Sequence, residues 1–314
     1  MPPILEVHDL VKKYGDFAAV NGISFDIQAG EVFSLLGPNG AGKTTTISVL
    51  STLFRPTSGD AIIGGHSVTQ EPMAVRQLIG VVPQELAIYN ELTAYENLSF
   101  WGQMYGLGGR VLKARIDEVL EQIGLRDKSK QRVRTYSGGM KRRVNIGVGL
   151  LHKPRLLFLD EPTVGIDPQS RRAILDSVLE LNEQGMTVLY TTHYMEEAQE
   201  LSDRVGIIDH GELIALGTQT ELTRQVGEND SLVLHIAEGE DAAALVQAVR
   251  QMTGVLQAEV TDDTVTIIVP EAEEILAPVV TLSNEIGCKI RTVEIQEPNL
   301  EAVFLHLTGR GLRD

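Results

Sequence analysis

Residues 37–44 read Gly37-Pro38-Asn39-Gly40-Ala41-Gly42-Lys43-Thr44, and this stretch decides the fold. It matches the pattern G-x-x-x-x-G-K-[ST], in which the backbone N–H groups of a glycine-rich loop turn inward around phosphates. An apolar run, Glu31–Leu36, precedes the loop, and a helical pattern, Thr45–Leu53, follows it. This strand-loop-helix context predicts a nucleotide site in which Lys43 reaches the β- and γ-phosphates and the Thr44 hydroxyl binds Mg²⁺. The neighbouring Thr45 is predicted to contact the nucleotide too.

The rest of the first 220 residues alternates apolar strands with helical patterns. The predicted strands are Glu31–Leu36, Ile79–Val82, Leu156–Leu159, Thr187–Tyr190 and Val205–Ile208. The predicted helices are Thr45–Leu53, Arg110–Ile123, Gly138–Leu151, Arg171–Asn182 and Met195–Leu201. Near-continuous apolar strands are typical of a parallel sheet that is buried on both faces. The alternation therefore predicts an α/β fold, and the phosphate loop makes it a P-loop NTPase fold.

One long stretch within this region contains no convincing strand. It covers residues 91–135, and Thr93 with Glu96 forms a capping-box pattern that opens a helix there. We interpret residues of about 91–150 as a helical insertion between two strands of the core sheet. The whole of residues 1–220 is predicted to form one nucleotide-binding domain.

The pattern changes after Gly217. The predicted elements are a strand Ser231–Ile236, a helix Asp241–Met252, strands Val255–Val260 and Thr264–Val269 around a turn at Asp262–Asp263, a helix Glu271–Ile286, a strand Lys289–Ile295 and a helix Leu300–Leu307. The order βαββαβ predicts a small α+β, ferredoxin-like domain over residues 221–314. This segment has 17 acidic and 6 basic residues, so it carries −11 of the total charge.

Length, charge and cysteine content bound the remaining possibilities. A chain of 314 residues suggests about two domains. The net charge of −16 argues against non-specific binding to nucleic acid or to anionic lipid. A single cysteine, Cys288, excludes an internal disulfide and a cysteine zinc cluster. The start of the sequence has no signal-peptide pattern, and no apolar run approaches the ~18 residues of a membrane helix.

A second chemical motif lies where the strand Leu156–Leu159 ends in Asp160 and Glu161. Asp160 is placed to orient Mg²⁺, and Glu161 to act as general base on the attacking water. Taken alone, the two acids are as well explained as solvent-facing residues at the end of a strand. The phosphate loop earlier in the chain favours the catalytic interpretation.

A third motif, Ser137-Gly138-Gly139-Met140, begins another helical pattern. The phosphate loop, Gln84, Ser-Gly-Gly, Asp-Glu and His193 occur in this order. The combination resembles the ATP-binding-cassette (ABC) transporter ATPases, and the resemblance covers essentially all of residues 1–220. It implies ATP and Mg²⁺ as ligands.

The resemblance also implies roles for single residues. Tyr14 resembles the aromatic residue that stacks on adenine. Gln84 resembles the glutamine that contacts Mg²⁺ and water and begins the link to the membrane subunit. The stretch Ser137–Lys141 resembles the signature that binds the γ-phosphate of ATP held by the opposite subunit. Asp167 resembles the acidic residue of the loop that crosses the dimer interface, and His193 the histidine near the γ-phosphate.

Two positions depart from the usual signature: Tyr136 stands in place of Leu and Met140 in place of Gln. Because Met cannot donate a hydrogen bond, any contact made by the Gln side chain is lost. The Tyr-Ser-Gly-Gly-Met form resembles the drug-resistance branch of the family, and the segment Glu297–Gly309 resembles the ending of daunorubicin/doxorubicin-resistance-type ATPases.

These resemblances predict the ATP-hydrolysing subunit of an exporter at the cytoplasmic face of the cell membrane. Two copies are expected to pair head to tail and to serve a separate multi-span permease. The alternative is a soluble ABC ATPase of translation or DNA repair, although neither a second cassette nor a long coiled-coil insertion is visible. No nucleic-acid partner is expected, because the basic group near the signature lacks interleaved aromatics. That group is Arg132, Arg134, Lys141, Arg142 and Arg143.

Overall fold

The structure is a computed structural model that describes residues 2–224, 229–237, 240–261, 263–296 and 299–308. The chain divides into two compact units between Thr218 and Gln219. The turn predicted at Asp262 lies outside the described residues, and so do Glu297, Pro298 and Gly309 of the predicted tail motif.

The first unit has ten strands and seven α-helices among its described residues. They are β1 (Leu5–Tyr14), β2 (Phe17–Ile27), β3 (Val32–Leu36), α1 (Lys43–Leu50), β4 (Ser58–Ile63), β5 (His66–Ser67), α2 (Pro72–Leu78), β6 (Ile79–Val82), α3 (Ala94–Met104), α4 (Gly109–Gln122), α5 (Gly138–Leu150), β7 (Leu156–Asp160), α6 (Pro168–Glu183), β8 (Thr187–Thr192), α7 (Met195–Leu201), β9 (Arg204–Asp209) and β10 (Glu212–Gly217).

The predicted α/β fold is confirmed by a six-stranded core sheet of order β10-β9-β3-β8-β7-β6. Strands β3, β6, β7, β8 and β9 run parallel to one another, while β10 pairs antiparallel with β9. Every residue of β3 and β7 is buried, which explains why the sequences of these strands are nearly all apolar. The carboxyl ends of parallel strands meet at one edge of the sheet, so the loops after β3, β6, β7 and β8 lie there together.

A second sheet, of order β2-β1-β4-β5, is antiparallel and was not predicted from the sequence. Its signal is obscured because the pairing of β1 with β2 shifts register between Val7 and Leu10 and again between Lys12 and Lys13. Asp9 also takes a left-handed φ of 45° at the first of these irregularities. Such bulges interrupt the strict apolar–polar alternation by which a strand is recognised.

The insertion between β6 and β7 contains α3, α4 and α5, and no strand is assigned among the described residues 91–135. The predicted capping box is confirmed: the Thr93 hydroxyl accepts from the Glu96 backbone N–H at 3.1 Å, and the Glu96 carboxylate accepts from the Thr93 N–H at 2.8 Å. Apolar residues of the three helices pack in one core cluster, represented by Leu98, Ile116 and Val144.

Some predicted helix limits are wrong, for local reasons. The first helix begins at Lys43 instead of Thr45, and it ends at Leu50 instead of Leu53, because Thr52 adopts a left-handed φ of 63°. The helix predicted from Arg171 begins at Pro168, since Asp167 caps it and proline is favoured in the first turn.

The second unit contains α8 (Gln219–Arg224), β11 (Asp230–Ile236), α9 (Ala242–Val249), β12 (Gln257–Thr261), β13 (Thr264–Val269), α10 (Ala272–Ile286), β14 (Ile290–Gln296) and α11 (Leu300–Thr308). Its sheet has the order β12-β13-β11-β14, and all its pairs are antiparallel. Leu232, Leu245 and Ile267 belong to its apolar core. Helix α9 ends at Val249, before the predicted Met252.

Candidate functional site

The phosphate loop connects β3 to α1, and two of its glycines are required by close packing. A Cβ atom on Gly37 would lie 2.2 Å from the Ile208 carbonyl oxygen, and one on Gly42 would lie 2.4 Å from that of Ala19. Gly42 is the N-cap of α1 and has a φ of 109°. Any larger residue at these two positions would displace the loop from the sheet.

Lys43 lies inside this loop and is only 4% exposed. Its Nζ donates to the carbonyl oxygens of Gly37 at 2.6 Å and Pro38 at 2.9 Å. The same atom lies 2.9 Å from Oε1 of Glu161. The ammonium group is therefore held over the loop by two carbonyls and one carboxylate.

Asp160 is the last residue of β7, as predicted, and it contacts the first turn of α1. Its Oδ1 accepts from the Thr44 hydroxyl at 3.2 Å and from the Thr191 hydroxyl at 2.8 Å. Burial raises the pKa of the Asp160 carboxyl above its ordinary value, while the hydrogen bonds from Thr191 and Thr44 oppose that rise. A cation at this oxygen would favour the charged form still further.

Glu161 follows β7 in a left-handed conformation, with a φ of 43°. Such a conformation costs an L-residue about 1–2 kcal/mol. Its backbone N–H is held by Thr191 on β8, with distances of 3.2 Å to the carbonyl oxygen and 3.0 Å to the hydroxyl oxygen. The Glu161 side chain is buried and reaches Lys43. The turn thus aims the carboxylate at the phosphate loop.

Two further predicted residues converge on Glu161. Gln84, two residues after β6, donates from Nε2 to Oε2 of Glu161 at 3.4 Å. His193, directly after β8, places Nδ1 3.4 Å from the same oxygen. That nitrogen is buried and not aligned for a hydrogen bond with any partner in the described part of the chain. The carboxyl edge of the sheet thus brings Lys43, Gln84 and His193 around one carboxylate.

A cleft of about 360 Å³ opens beside this group. It is lined by Tyr14, Phe17, Ala19, Asn39, Gly40, Gly42, Lys43, Thr44, Thr45, Gln84 and Glu161. Tyr14 is 48% exposed and meets Phe54 edge to face, with ring centroids 6.4 Å apart. Phe17, which is 65% exposed, was missed in the sequence analysis because the β1–β2 hairpin was not predicted.

The Ser-Gly-Gly motif and Asp167 do not line this cleft but lie next to each other. Ser137 is the N-cap of α5 and accepts from the Met140 N–H at 3.3 Å, and Asp167 caps α6 by accepting from the Ser170 N–H at 2.9 Å. A Cβ atom on Gly139 would lie 2.3 Å from that of Ser170, while one on Gly138 would meet Ile166 at 3.4 Å. The two helix starts form a second surface of the same unit.

The two departures from the usual signature have structural explanations. The Tyr136 ring is buried in the core, and its hydroxyl donates to the Lys128 carbonyl oxygen at 2.6 Å. Met140 packs against the same apolar core cluster. Both substitutions therefore anchor the beginning of α5 to the helical insertion and leave Ser137 at its N-cap.

The described residues contain no large cluster of metal-binding side chains. No group of three or more His, Cys, Asp or Glu side chains there could hold a metal ion. Mg²⁺ bound to a nucleotide does not need such a group, because phosphate oxygens supply part of its ligands. Asp160 and Thr44 offer one carboxylate and one hydroxyl that lie in contact. None of the described helices is long and apolar enough to span a membrane.

The fold and this cleft together place the chain among the P-loop nucleoside triphosphatases. Residues 20–164 match the family described as ABC transporter. The linearmycin resistance ATP-binding protein of Bacillus subtilis (strain 168) is 49% identical over 99% of this chain and 100% of its own length. The daunorubicin resistance ATP-binding protein DrrA3 of Streptomyces coeruleorubidus is 42% identical over 95% of this chain and 93% of its own.

Solved structures agree with these relatives. The protein cbiO1 from Clostridium perfringens, part of the ABC transporter complex cbiONQ, has a TM-score of 0.65 and 28% identity over 72% of this chain and 95% of its own. A dimeric ATP-binding cassette in a post-hydrolysis state with ADP and Pi has a TM-score of 0.62 and 26% identity, over 68% and 98%. The chain belongs to the ABC transporter family as one of its ATP-hydrolysing, ATP-binding subunits.

Proposed function

We propose that this chain powers export through a separate membrane permease by hydrolysing ATP in the cleft beside Glu161. The observation that carries the proposal is the convergence of Lys43, Gln84 and His193 on the Glu161 carboxylate, at the edge of the sheet that also holds the phosphate loop. The relatives named for antibiotic resistance support the direction of transport.

Binding of the phosphates begins with the loop and Lys43. The carbonyls of Gly37 and Pro38 hold the ammonium group within reach of the loop amides. The β- and γ-phosphates together carry more negative charge than one carboxylate, so Lys43 exchanges its contact with Glu161 for these phosphates. That exchange leaves the Glu161 carboxylate free to act. The face of Tyr14, and the unpredicted Phe17 beside it, would receive the adenine.

Thr44 and Asp160 would hold Mg²⁺, with the Gln84 side chain completing the protein's share of the ligands. Their oxygen atoms are the donors that Mg²⁺ prefers, and the 3.2 Å bond between Thr44 and Asp160 shows that the two already meet. The ion would neutralise part of the negative charge of the phosphates. The Asp160 oxygen, now engaged by two hydroxyls, supplies the negative charge that such an ion requires.

Glu161 then takes the proton of the attacking water. Its carboxylate is buried and oriented by the β7–β8 pairing, and Gln84 and His193 lie within 3.4 Å of Oε2. Gln84 can hold the water through its amide, and His193 can donate to the γ-phosphate from its other ring nitrogen.

A second copy of the chain would complete the site. Ser137, Gly138, Gly139 and Asp167 form a surface that does not line the cleft, although the N-terminus of α5 is suited to bind phosphate. Head-to-tail pairing would bring this surface of one copy to the cleft of its partner. The dimeric architecture of the similar cassette with ADP and Pi supports the arrangement.

An apolar depression that is lined in part by Pro83, the residue before Gln84, would receive the permease. It has a volume of about 500 Å³ and is lined by Ser51, Leu53, Arg76, Ile79, Val81, Pro83 and Tyr105. Leu53 in this lining is largely exposed, and so is Met104, which precedes Tyr105 in the sequence. Docking at this face would hold the chain at the cytoplasmic side of the membrane. The cargo is proposed to be an antibiotic, because the relatives are named for resistance to linearmycin and daunorubicin.

The second unit carries none of the cleft residues. We propose that it is an accessory domain of ferredoxin-like arrangement that supports or regulates the dimer. The observed order of its elements and its all-antiparallel sheet support this arrangement.

One set of experiments tests the proposed function. The chain is purified alone and together with a permease encoded beside its gene, and both preparations are assayed for ATP hydrolysis. We expect the pair to co-purify and to move antibiotic into inside-out vesicles in an ATP-dependent way. Failure of the chain to co-purify with the permease, together with co-purification of ribosomes, would contradict the proposal.

A further inference from the structure

Side chains of helix α5 form hydrogen bonds with the backbone of residues 83–87, which we call the Gln84 loop. Arg142 donates from Nη1 to the Pro83 carbonyl at 2.9 Å and from Nη2 to the Gln84 carbonyl at 2.7 Å. Asn145, one turn further along, donates to the Pro83 carbonyl at 3.3 Å and accepts from the Ala87 N–H at 3.0 Å. The backbone on both sides of Gln84 is thus bound to one helix.

The two side chains that make these hydrogen bonds are buried, which restricts their motion. Arg142 is 4% exposed and Asn145 1%. Within the part of the chain that the structure describes, no carboxylate lies within ion-pair distance of Arg142, so its charge is stabilised mainly by the two carbonyls. A buried charge that loses such partners is strongly destabilised, which makes the loop follow the helix.

The same helix begins at the Ser137 signature. Arg142 and Asn145 follow Ser137 by five and eight residues in one unbroken helix, a separation of about 8–12 Å along its axis. A regular helix of this length moves as a rigid rod. Any displacement of its N-terminus toward a phosphate is therefore carried to the Gln84 backbone.

We propose that Arg142 and Asn145 are positioning residues that couple the two ATP sites of the dimer, an inference that rests on the proposed function above. ATP held by the partner's phosphate loop binds Ser137 of this copy, and α5 then sets Gln84 in this copy's own cleft. The Gln84 amide is 3.4 Å from Glu161, at the limit of hydrogen bonding, so a shift of a few tenths of an ångström decides whether the contact forms.

The test compares Arg142→Met with Arg143→Met in the full chain. Arg143 is the matched control, because it lies on the same helix but donates to the Ile123 carbonyl in the helical insertion. We expect Arg142→Met to lower kcat by about 10- to 100-fold with the ATP dissociation constant unchanged, since misplacement of a distant group has effects of this size. The Hill coefficient for ATP should fall from above 1 toward 1. Arg143→Met should preserve both values.

A purely structural role for Arg142 is distinguished by a double-mutant cycle. In a Gln84→Ala background, measured by single turnover, Arg142→Met should cause no further loss of rate. If the fold losses of rate caused by Gln84→Ala and Arg142→Met multiply in the double variant, the two residues act independently and the proposal is overturned. A wild-type Hill coefficient of 1 would also overturn it. If Arg142→Met does not fold, Arg142→Lys replaces it, and we expect an intermediate loss because an ammonium group cannot hold both carbonyls as a guanidinium does.

Hydrogen exchange tests the hydrogen bonds between α5 and the Gln84 loop without relying on activity. The Ala87 N–H donates to Oδ1 of Asn145, so it should exchange at least about tenfold faster in Asn145→Leu than in the wild type, and at the wild-type rate in Arg143→Met. Unchanged exchange would overturn the proposal. Absence of hydrolysis by the wild-type chain would instead refute the proposed function. The exchange rates would still show whether α5 holds the Gln84 loop.

Discussion

At the scale of single residues, the site depends on how Glu161 is held. Its left-handed backbone is stabilised by two contacts from Thr191, and its carboxylate is buried beside Lys43. A buried carboxylate is tolerated only when it is paired, so Lys43 and Glu161 hold each other in place before nucleotide arrives. The two residues consequently have separable roles, one in binding and one in chemistry.

Replacement of Lys43 by Ala tests the binding role. We expect ATP affinity to fall by about 10- to 100-fold and hydrolysis to become undetectable, because the one buried cation of the loop is lost and Glu161 remains unpaired. Isothermal titration with ATP measures the first effect. Lys153→Ala, which removes an exposed lysine that does not line the cleft, should change neither value. Normal turnover by Lys43→Ala would refute the assignment of this loop.

Replacement of Glu161 by Gln tests the chemical role. Gln keeps the shape of the side chain but cannot accept a proton as a carboxylate does, so kcat should fall by about 10²–10⁴-fold. The ATP dissociation constant should not increase, since the loop, Lys43, Thr44 and Asp160 are intact. Steady-state hydrolysis and equilibrium binding on the same sample measure both. A rate close to that of the wild type would show that another group is the base.

The sequence predicted the site residues whose motifs are contiguous, and it missed those that only the fold brings together. Thr191 on a neighbouring strand donates to the Asp160 carboxylate and accepts from the Glu161 backbone N–H. Phe17 reaches the cleft from a hairpin whose alternation is broken by bulges. Arg142 was counted only as one of a basic group, because nothing in its spacing shows that it faces the Gln84 loop. These contacts arise from tertiary pairing, which a local pattern does not encode.

At the scale of helices and strands, the start of a helix can be predicted when its capping residues are close together in the sequence. The Thr93–Glu96 pair predicted the start of α3 correctly, whereas the limits of α1 depend on a left-handed residue, Thr52, that no pattern announces. Buried parallel strands such as β7 were visible as apolar runs. The antiparallel sheet of β1, β2, β4 and β5 was not, because its strands alternate imperfectly.

Replacement of Thr93 by Ala tests the capping box. The hydroxyl that accepts from Glu96 N–H is lost, and such caps contribute about 0.5–2 kcal/mol to the free energy of unfolding. The single tryptophan, Trp101, lies in α3, so urea unfolding followed by its fluorescence reports on this helix. Thr93→Ser keeps the hydroxyl and should retain most of the stability. Equal unfolding midpoints for Thr93→Ala and the wild type would contradict the role of the cap.

At the scale of the whole molecule, the cleft residues lie within one of the two compact units. All cleft residues and both caps of the second surface belong to the unit that ends at Thr218. The second unit has its own sheet and its own apolar core. The sequence indicated this division through the change of pattern after Gly217 and the excess of acidic residues, but patterns within one chain cannot show what a second copy contributes.

Removal of residues 219–314 tests the independence of the first unit. We expect the truncated chain to remain folded and to keep the increase in melting temperature that Mg-ATP gives the full chain, because ligand binding stabilises a folded site by mass action. Differential scanning fluorimetry compares the two. A truncated chain with normal circular dichroism but no shift would show that the second unit helps to build the site.

We propose above that ATP is held between the cleft of one copy and the Ser137 surface of another. The most direct measurement is the molar mass of Glu161→Gln by light scattering, with and without saturating Mg-ATP. We expect a monomer without nucleotide and a dimer with it, since slow hydrolysis traps the bound state. The double variant Glu161→Gln, Ser137→Arg should bind ATP but remain monomeric, because only the second surface is blocked. A Glu161→Gln chain that binds ATP and stays monomeric, or a double variant that still dimerises, would contradict the claim.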